Sequence, residues 1–253
     1  MGSRIGYQLP SISPCPLTQE VGIPNKMIIG SGLIANALRQ QGIAHSGVIY
    51  LAAGVSNSGE TCPAAFEREF KLVRECLGMG MRLVYFSSCS ILDPTKADSP
   101  YVLHKKAVET LIRQRGYAVI LRLAQVVGPT KNPYVLTNYL FNRIDRGEPF
   151  QVWTHARRNL IDVEDVVRIA DKIISDSTFD CITSNIASDA PVTSLELVKI
   201  FEAVLGKKAQ HTLVDAGGFY DIEIQSCLSA ARSLSIDLES NYATRCIQKY
   251  YGR

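Results

Sequence analysis

The chain has 253 residues, 46% hydrophobic and 20% charged, which excludes a disordered or collagen-like chain and allows one large domain or a core domain with a small lobe. A net charge of +3 without a Lys/Arg run argues against a nucleic-acid partner, and no apolar stretch approaches the ~18 residues of a membrane span. Seven cysteines, odd in number and with no CxxC pair, exclude a disulfide scaffold and a zinc ribbon. They suit a reducing compartment, and without the residue succession of a signal peptide a cytoplasmic protein is expected.

Residues 1–25, with Pro10, Pro14, Pro16 and Pro24, read as an irregular arm outside the fold. From Lys26 the pattern changes. Met27-Ile28-Ile29 is a short strand, Gly30-Ser31-Gly32 a turn, and Leu33–Leu38 a helical run. Strands are expected at 47–51, 82–86 and 118–123, with helices over 63–77 and 101–115 between them. Apolar strands alternating with helices indicate a parallel sheet covered on both faces, and right-handed crossovers make it a doubly wound α/β sheet. After Gly128-Pro129 the pattern loosens: helices are expected over 134–146 and 163–175, an extended piece over 159–162 and a strand over 182–187. A last helix opens at Thr193, where Glu196 completes a capping box, and stops at Gly206. This half is expected to build a small lobe over the carboxyl edge of the sheet.

Three segments carry chemistry. In Gly30-x-Gly32, after a strand and before a helix, the missing Cβ atoms let a pyrophosphate approach the helix N-terminus; Ala35 stands near the third glycine of the usual fingerprint. A plain strand–helix turn would read the same. The stretch 31–59 holds no Asp or Glu, so the acid expected on an adenosine ribose is missing, and the next strand arrives too early to leave room for another. Tyr101 and Lys105, four apart, share one helix face, where an ammonium can favour the phenolate and let the phenol move a proton. With 11 tyrosines and 11 lysines, about 0.5 chance matches to YxxxK are expected, and the chain has one, preceded by Pro100 at a helix start. Ser87-Ser88-Cys89-Ser90 follows a parallel strand at its carboxyl end, where hydroxyls face the ligand crevice. The same residues also suit a serine-rich loop that caps the next segment.

In order, MIIGSGLIANAL, GVIYLAAGVSN, RLVYFSSCSI, SPYVLHKKAVETLI, AVILRLAQVVGP and RNLIDVEDVVRIA resemble the extended short-chain dehydrogenase/reductases, the NAD-dependent epimerase/dehydratase family of nucleotide-sugar enzymes. The resemblance covers about residues 26–206. It implies a Rossmann-like cofactor domain over 26–130 and a mixed segment over 131–253 that completes the sheet and forms the substrate lobe. It also implies NAD or NADP as cofactor and a nucleotide-sugar as substrate. Tyr101 and Lys105 match the catalytic pair and Ser88 the hydroxyl that completes the triad, with Ser87 and Ser90 as alternatives. Gly30, Gly32, Leu33 and Ile34 match the phosphate turn. Ala52, Ala53 and Gly54 match the segment along the cofactor, where Ser87, Tyr101 and Lys105 also belong. Gln125 and Arg158 match substrate contacts. A dimer through two helices per subunit is common in that family, so a homodimer is among the expected states.

The chain departs from the family where the first glycine falls on Ile29, where the second and third strands are absent, and where the VYG sequence reads Ile91-Leu92-Asp93. Cys89-Ser90 stands where dehydratases carry Asp-Glu, so the expectation is a reductase acting at a hydroxyl or keto carbon of a nucleotide-sugar. An epimerase, or a non-catalytic sugar-nucleotide binder that has lost NAD, are the alternatives. His104 is expected to face solvent and Cys89 to pack. Trp153 and Phe150 are expected to line the lobe or fill a core. His45, His155 and His211 share no metal-ligand spacing, and no metal is expected.

Overall fold

The computed structural model describes residues 26–177, 180–239 and 241–252. The expected N-terminal arm, residues 1–25, lies outside them. β1 (Lys26–Ile29) leads through the glycine turn to α1 (Leu33–Gln40); β2 (Val48–Leu51), α2 (Pro63–Gly78), β3 (Arg82–Ser88), α3 (Pro100–Arg113) and β4 (Ala118–Leu123) follow. Pro63 and Pro100 stand in the first turns of their helices, where a missing N–H costs nothing. The Ser99 hydroxyl caps α3 by accepting from the Val102 N–H at 3.3 Å. The second half supplies β5 (Gln125–Val127), α4 (Leu136–Arg146), β6 (Phe150–Trp153), β7 (Arg157–Arg158), β8 (Leu160–Asp162) and α5 (Val163–Asp176). It ends with β9 (Ile182–Ile186), β10 (Val192–Thr193), α6 (Ser194–Leu205), β11 (His211–Val214), α7 (Gln225–Ser233) and α8 (Tyr242–Tyr251).

Five strands form one parallel sheet in the order β1-β2-β3-β4-β9, a Rossmann-like α/β arrangement. Side chains alternate between its faces. Ile49, Leu51, Leu83, Tyr85 and Ile120 meet α2 and α3 through Val73, Cys76, Val108 and Ile112. Val48, Tyr50, Val84, Phe86 and Leu121 meet α1 and α5 on the other face.

This places α1 opposite α2 and α3, although the connections β1–α1–β2, β2–α2–β3 and β3–α3–β4 all step in the same direction across the sheet. The β1–α1–β2 crossover therefore has the opposite hand from its two successors, which corrects the expectation of uniformly right-handed crossovers. The physical reason is the short link between β1 and β2. In a longer Rossmann sheet two more strands would lie beyond β1; α1 would lead out to them on its own face, and the chain would return to β2 across the α2 and α3 face. Here α1 keeps its packing against α5 and goes straight to β2.

Among the described residues β1 is consequently an edge strand. Its inner carbonyls pair with β2, and its outer carbonyls at Ile28 and Gly30 accept hydrogen bonds from the Arg39 guanidinium at 3.1 and 2.7 Å. A side chain of α1 thus blunts the edge that the missing strand would have covered.

The lobe is built from short pairings: β5 with β8 and β6 with β11 in parallel, β7 with β10 antiparallel. The expected capping box is present, with Thr193 Oγ1 accepting from Glu196 N at 3.1 Å and Glu196 Oε2 accepting from Thr193 N at 2.7 Å. α8 closes the base of the lobe. Asp162 accepts from Lys249 Nζ at 2.8 Å and from the Tyr250 hydroxyl at 2.7 Å, and the Tyr242 hydroxyl donates to Asp165 at 2.6 Å.

Candidate active site

The glycine turn sits at the carboxyl end of β1. Gly30 has φ +126°, a region that L side chains rarely adopt, and a Cβ there would run into the Ala52 carbonyl. The turn therefore lies directly against the Ala52–Gly54 segment, and the two are joined by Ala52 N donating to Ile29 O at 2.8 Å. Gly32 is the N-cap of α1. No side chain caps this helix and no acid stands in its first turn, so its N–H groups remain available to an anion.

Tyr101 and Lys105 occupy the first turns of α3. The Tyr101 ring packs against Val55, Val102, Ala65 and Phe66 and is 5% exposed. Among the described residues its hydroxyl has no hydrogen-bond partner, yet it is not one of the fully buried unpaired atoms. The ring is thus held by packing while the hydroxyl keeps access to open space. The Lys105 ammonium lies 5.7 Å from the centre of the Tyr101 ring.

Lys105 is not a free cation. Its Nζ donates to Glu69 Oε1 at 2.8 Å and to the Tyr85 hydroxyl at 3.0 Å, and it is 2% exposed. Glu69, from α2, also accepts from the Tyr85 hydroxyl at 2.7 Å, from Val55 N at 2.8 Å and from His104 Nε2 at 2.8 Å. Burial pushes the Glu69 carboxyl up, but the hydrogen bond from His104 and the Lys105 charge outweigh it and bring it down to about 2. A Cβ on Gly54 would strike the Glu69 carboxylate and stand 3.0 Å from Lys105 Nζ, so this glycine lets the ion pair approach the backbone after β2. His104 is buried, stacked on Phe66 and paired with Glu69, which corrects the expectation that it faces solvent. On α3 it shares the inward face with Tyr101 and Lys105, and Glu69 draws it in.

The serines divide between roles. Ser87 Oγ donates to the buried Glu109 at 2.7 Å, so its hydroxyl proton is committed inside the sheet–helix interface. Ser88 Oγ accepts from Ser90 N at 3.1 Å, capping the turn Cys89–Leu92, and keeps its own proton to donate. α3 packs against that turn. Cys89 is buried, its thiol donates to Arg122 O at 3.2 Å, and burial pushes the thiol up to about 12. Gln125 begins β5, half-buried, with its N–H donating to Asn159 O at 3.0 Å.

A cavity of about 470 Å³ opens in the lobe between α4, β6 and α6, lined by Tyr139, Phe150, Trp153, Gln151, Ser194 and Arg158 among others. None of Tyr101, Lys105 and Ser88 lines it. Arg158 lines the cavity; burial lowers its guanidinium, while the Tyr220 and Asp93 charges raise it. Trp153 and Phe150, expected to line the lobe or fill a core, both line the cavity, and Trp153 is half-exposed.

A parallel sheet with a glycine turn after its first strand and a Tyr-x-x-x-Lys pair at the start of a covering helix defines the short-chain dehydrogenase/reductase class. The chain belongs to the NAD dependent epimerase/dehydratase family, whose model matches residues 36–181. The match begins just past the glycine turn. RMD from Pseudomonas aeruginosa, solved with NADPH, superposes with a TM-score of 0.64 at 15% identity, covering 88% of this chain and 97% of that one. MoeE5, solved with UDP-glucose and NAD, gives 0.65 at 17% identity over 88% and 98%. UDP-glucose 4-epimerase from Thermotoga maritima, solved with UDP-glucose, gives 0.64 at 16% identity over 86% and 81%. At these identities the likeness is one of fold. No curated protein sequence matches the chain significantly. Among the described residues no helix is long and apolar enough to cross a membrane, and no cluster of His, Cys, Asp or Glu could hold a metal ion.

Glu69 and Tyr85 escaped the sequence reading. The signal for Glu69 is its place on the apolar stripe Phe66, Phe70, Val73, Cys76 of α2, where a carboxylate is costly unless it is paired.

Proposed function

We propose that the protein is an NAD(P)-dependent reductase acting on a keto carbon of a nucleotide-sugar. The observation that carries this reading is the Tyr101 hydroxyl, with no hydrogen-bond partner among the described residues, on a ring that packing holds still and whose centre lies 5.7 Å from the Lys105 ammonium. Half of a dinucleotide site fits the residues present. The open turn at Gly30–Gly32 with Leu33 and Ile34 suits a pyrophosphate, and Ala52–Gly54 with Lys105 suits the nicotinamide ribose. Among the described residues the adenosine half lacks its strand, the stretch 31–59 holds no acid, and Arg39 stands at that edge instead. A bound nicotinamide supplies the hydride.

The chain's own residues do the rest. Tyr101 gives its proton to the substrate oxygen as that oxygen gains charge, and Ser88 donates a second hydrogen bond to the same atom. Lys105 steadies the phenolate left behind, and solvent restores its proton. The lobe cavity offers aromatic faces for a base at Trp153, Tyr139 and Phe150 and a guanidinium for phosphate at Arg158. Gln125 stands at the start of β5 as a further substrate contact. A dehydratase is disfavoured by Cys89, whose buried thiol is a poor acid–base partner. An epimerase remains the second reading, because structural neighbours carry that activity and the same three residues serve it.

The test uses Trp153, the only tryptophan, as the reporter. A nucleoside diphosphate stacked on it should quench its fluorescence, and by titration calorimetry, which needs no tryptophan, Trp153→Ala should weaken binding about 5- to 150-fold, the worth of one base–aromatic stack. NADPH and NADH are then titrated through dihydropyridine emission. A reductase consumes the reduced cofactor with its sugar, whereas an epimerase interconverts sugars without net consumption. Absence of both nucleotide quenching and dinucleotide binding would sink the reading.

A further inference from the structure

The two-residue chemistry of Tyr101 and Lys105 rests on a third side chain that belongs to another helix. Glu69 comes from α2 and is 1% exposed. Its two oxygens receive four donors from three other places: Val55 N after β2, the Tyr85 hydroxyl on β3, and His104 Nε2 and Lys105 Nζ on α3. Every acceptor direction of the carboxylate is occupied. One atom group therefore sets the height of Lys105 above β3, the seat of α3, and the backbone that leaves β2 toward the cofactor side.

We infer that Glu69 is the positioning residue of this site: its carboxylate holds the Lys105 ammonium as one half of a buried ion pair, and so governs the charge that Tyr101 feels. The inference rests on the reading of Tyr101 as proton donor. Lys105 has three N–H groups. Glu69 and Tyr85 take two of them, leaving one for the Tyr101 side or for a ribose hydroxyl. The charged and titratable groups facing the pair are His104 and Tyr101 from α3 and Tyr85 from β3, with Glu109 acting on Tyr85 from further along α3. The segment after β2 adds only Gly54 and a backbone N–H. Glu69 is the buried counter-charge of Lys105, so it moderates the pull that the ammonium exerts on the Tyr101 phenol. Gly54 belongs to the same device, because any side chain there would displace the pair.

Glu69→Gln keeps the shape and removes the charge. Lys105 then stands uncompensated, and the limb of the rate-versus-pH profile that reports loss of the donor proton should move down by about one unit, the usual effect of one nearby charge. Glu69→Asp keeps the charge with one methylene less. It should leave that limb in place and lower kcat about 10- to 100-fold by drawing Lys105 back, with KM for the sugar little changed. The Asp variant also carries the test should the Gln variant fail to fold. A readout without turnover is NADPH affinity by dihydropyridine emission, which Glu69→Gln should change and Arg113→Gln, on the far end of α3, should not. Wild-type protein that binds no dinucleotide would defeat the functional reading alone. Wild-type protein that turns over, together with variants showing an unmoved or raised limb for Glu69→Gln and an unchanged kcat for Glu69→Asp, would overturn the role of Glu69.

Discussion

Acid should remove a defined share of the folding free energy through Glu69. Burial alone would raise this carboxyl, but His104, Lys105 and Tyr85 bring it to about 2 in the folded chain, against 4.5 for the unperturbed group. The folded value lies below the unfolded one. The contribution is therefore complete above about pH 4.5 and is lost as the pH falls through about 2. The difference of about 2.5 units, at 1.36 kcal/mol each, amounts to about 3 kcal/mol. Roughly two-thirds of it should already be gone at about pH 3, where the unfolded carboxyl is protonated and the folded one is still ionised. The assay is urea unfolding of wild type and Glu69→Gln at about pH 6 and about pH 3. The variant lacks this group, so its stability should fall by about 2 kcal/mol less than that of wild type over the same interval. Glu109, also lowered by its partners, is present in both proteins and cancels. Equal losses in the two proteins would refute the assignment of a strongly paired carboxylate at Glu69.

Tyr101→Phe should reduce kcat by about 100-fold or more while leaving nucleotide quenching of Trp153 unchanged, since among the described residues the hydroxyl has no hydrogen-bond partner to lose. Equal activity in the two proteins would remove Tyr101 from the mechanism. Gly30→Ala should destabilise the fold by about 1–3 kcal/mol and weaken NADPH binding, because its φ of +126° and the Ala52 carbonyl both oppose a side chain. Unfolding curves and dihydropyridine titrations measure both effects. Thr193→Ala should cost about 1 kcal/mol through loss of the capping box, read from the shift of its urea unfolding curve.

The strong periodic elements were readable because each answers to local physics. Apolar runs made β2, β3 and β4, Pro100 opened α3, and Thr193 with Glu196 opened α6. The pairings β7–β10 and β6–β11 were not readable, since strands of two to four residues have no period to detect and form only when a distant partner arrives. The absence of room between β1 and β2 was visible in the spacing. The opposite hand of the α1 crossover was not, because it follows from α1 packing on α5, more than a hundred residues away.

At the site the same division holds. Tyr101 and Lys105 are four residues apart on one helix, so their common face is a property of the chain alone. Ser87 and Ser88 are neighbours whose different fates depend on the strand's alternation and on Glu109 waiting on one side of it. Glu69 joins α2, β3, α3 and the segment after β2 within hydrogen-bond reach, a meeting that no sequence interval encodes. Local spacing determined which residues could perform proton chemistry. Only the packing of α2 against α3 decided that the ammonium would carry a buried counter-ion, because a charge taken out of water must find its partner wherever the fold brings one.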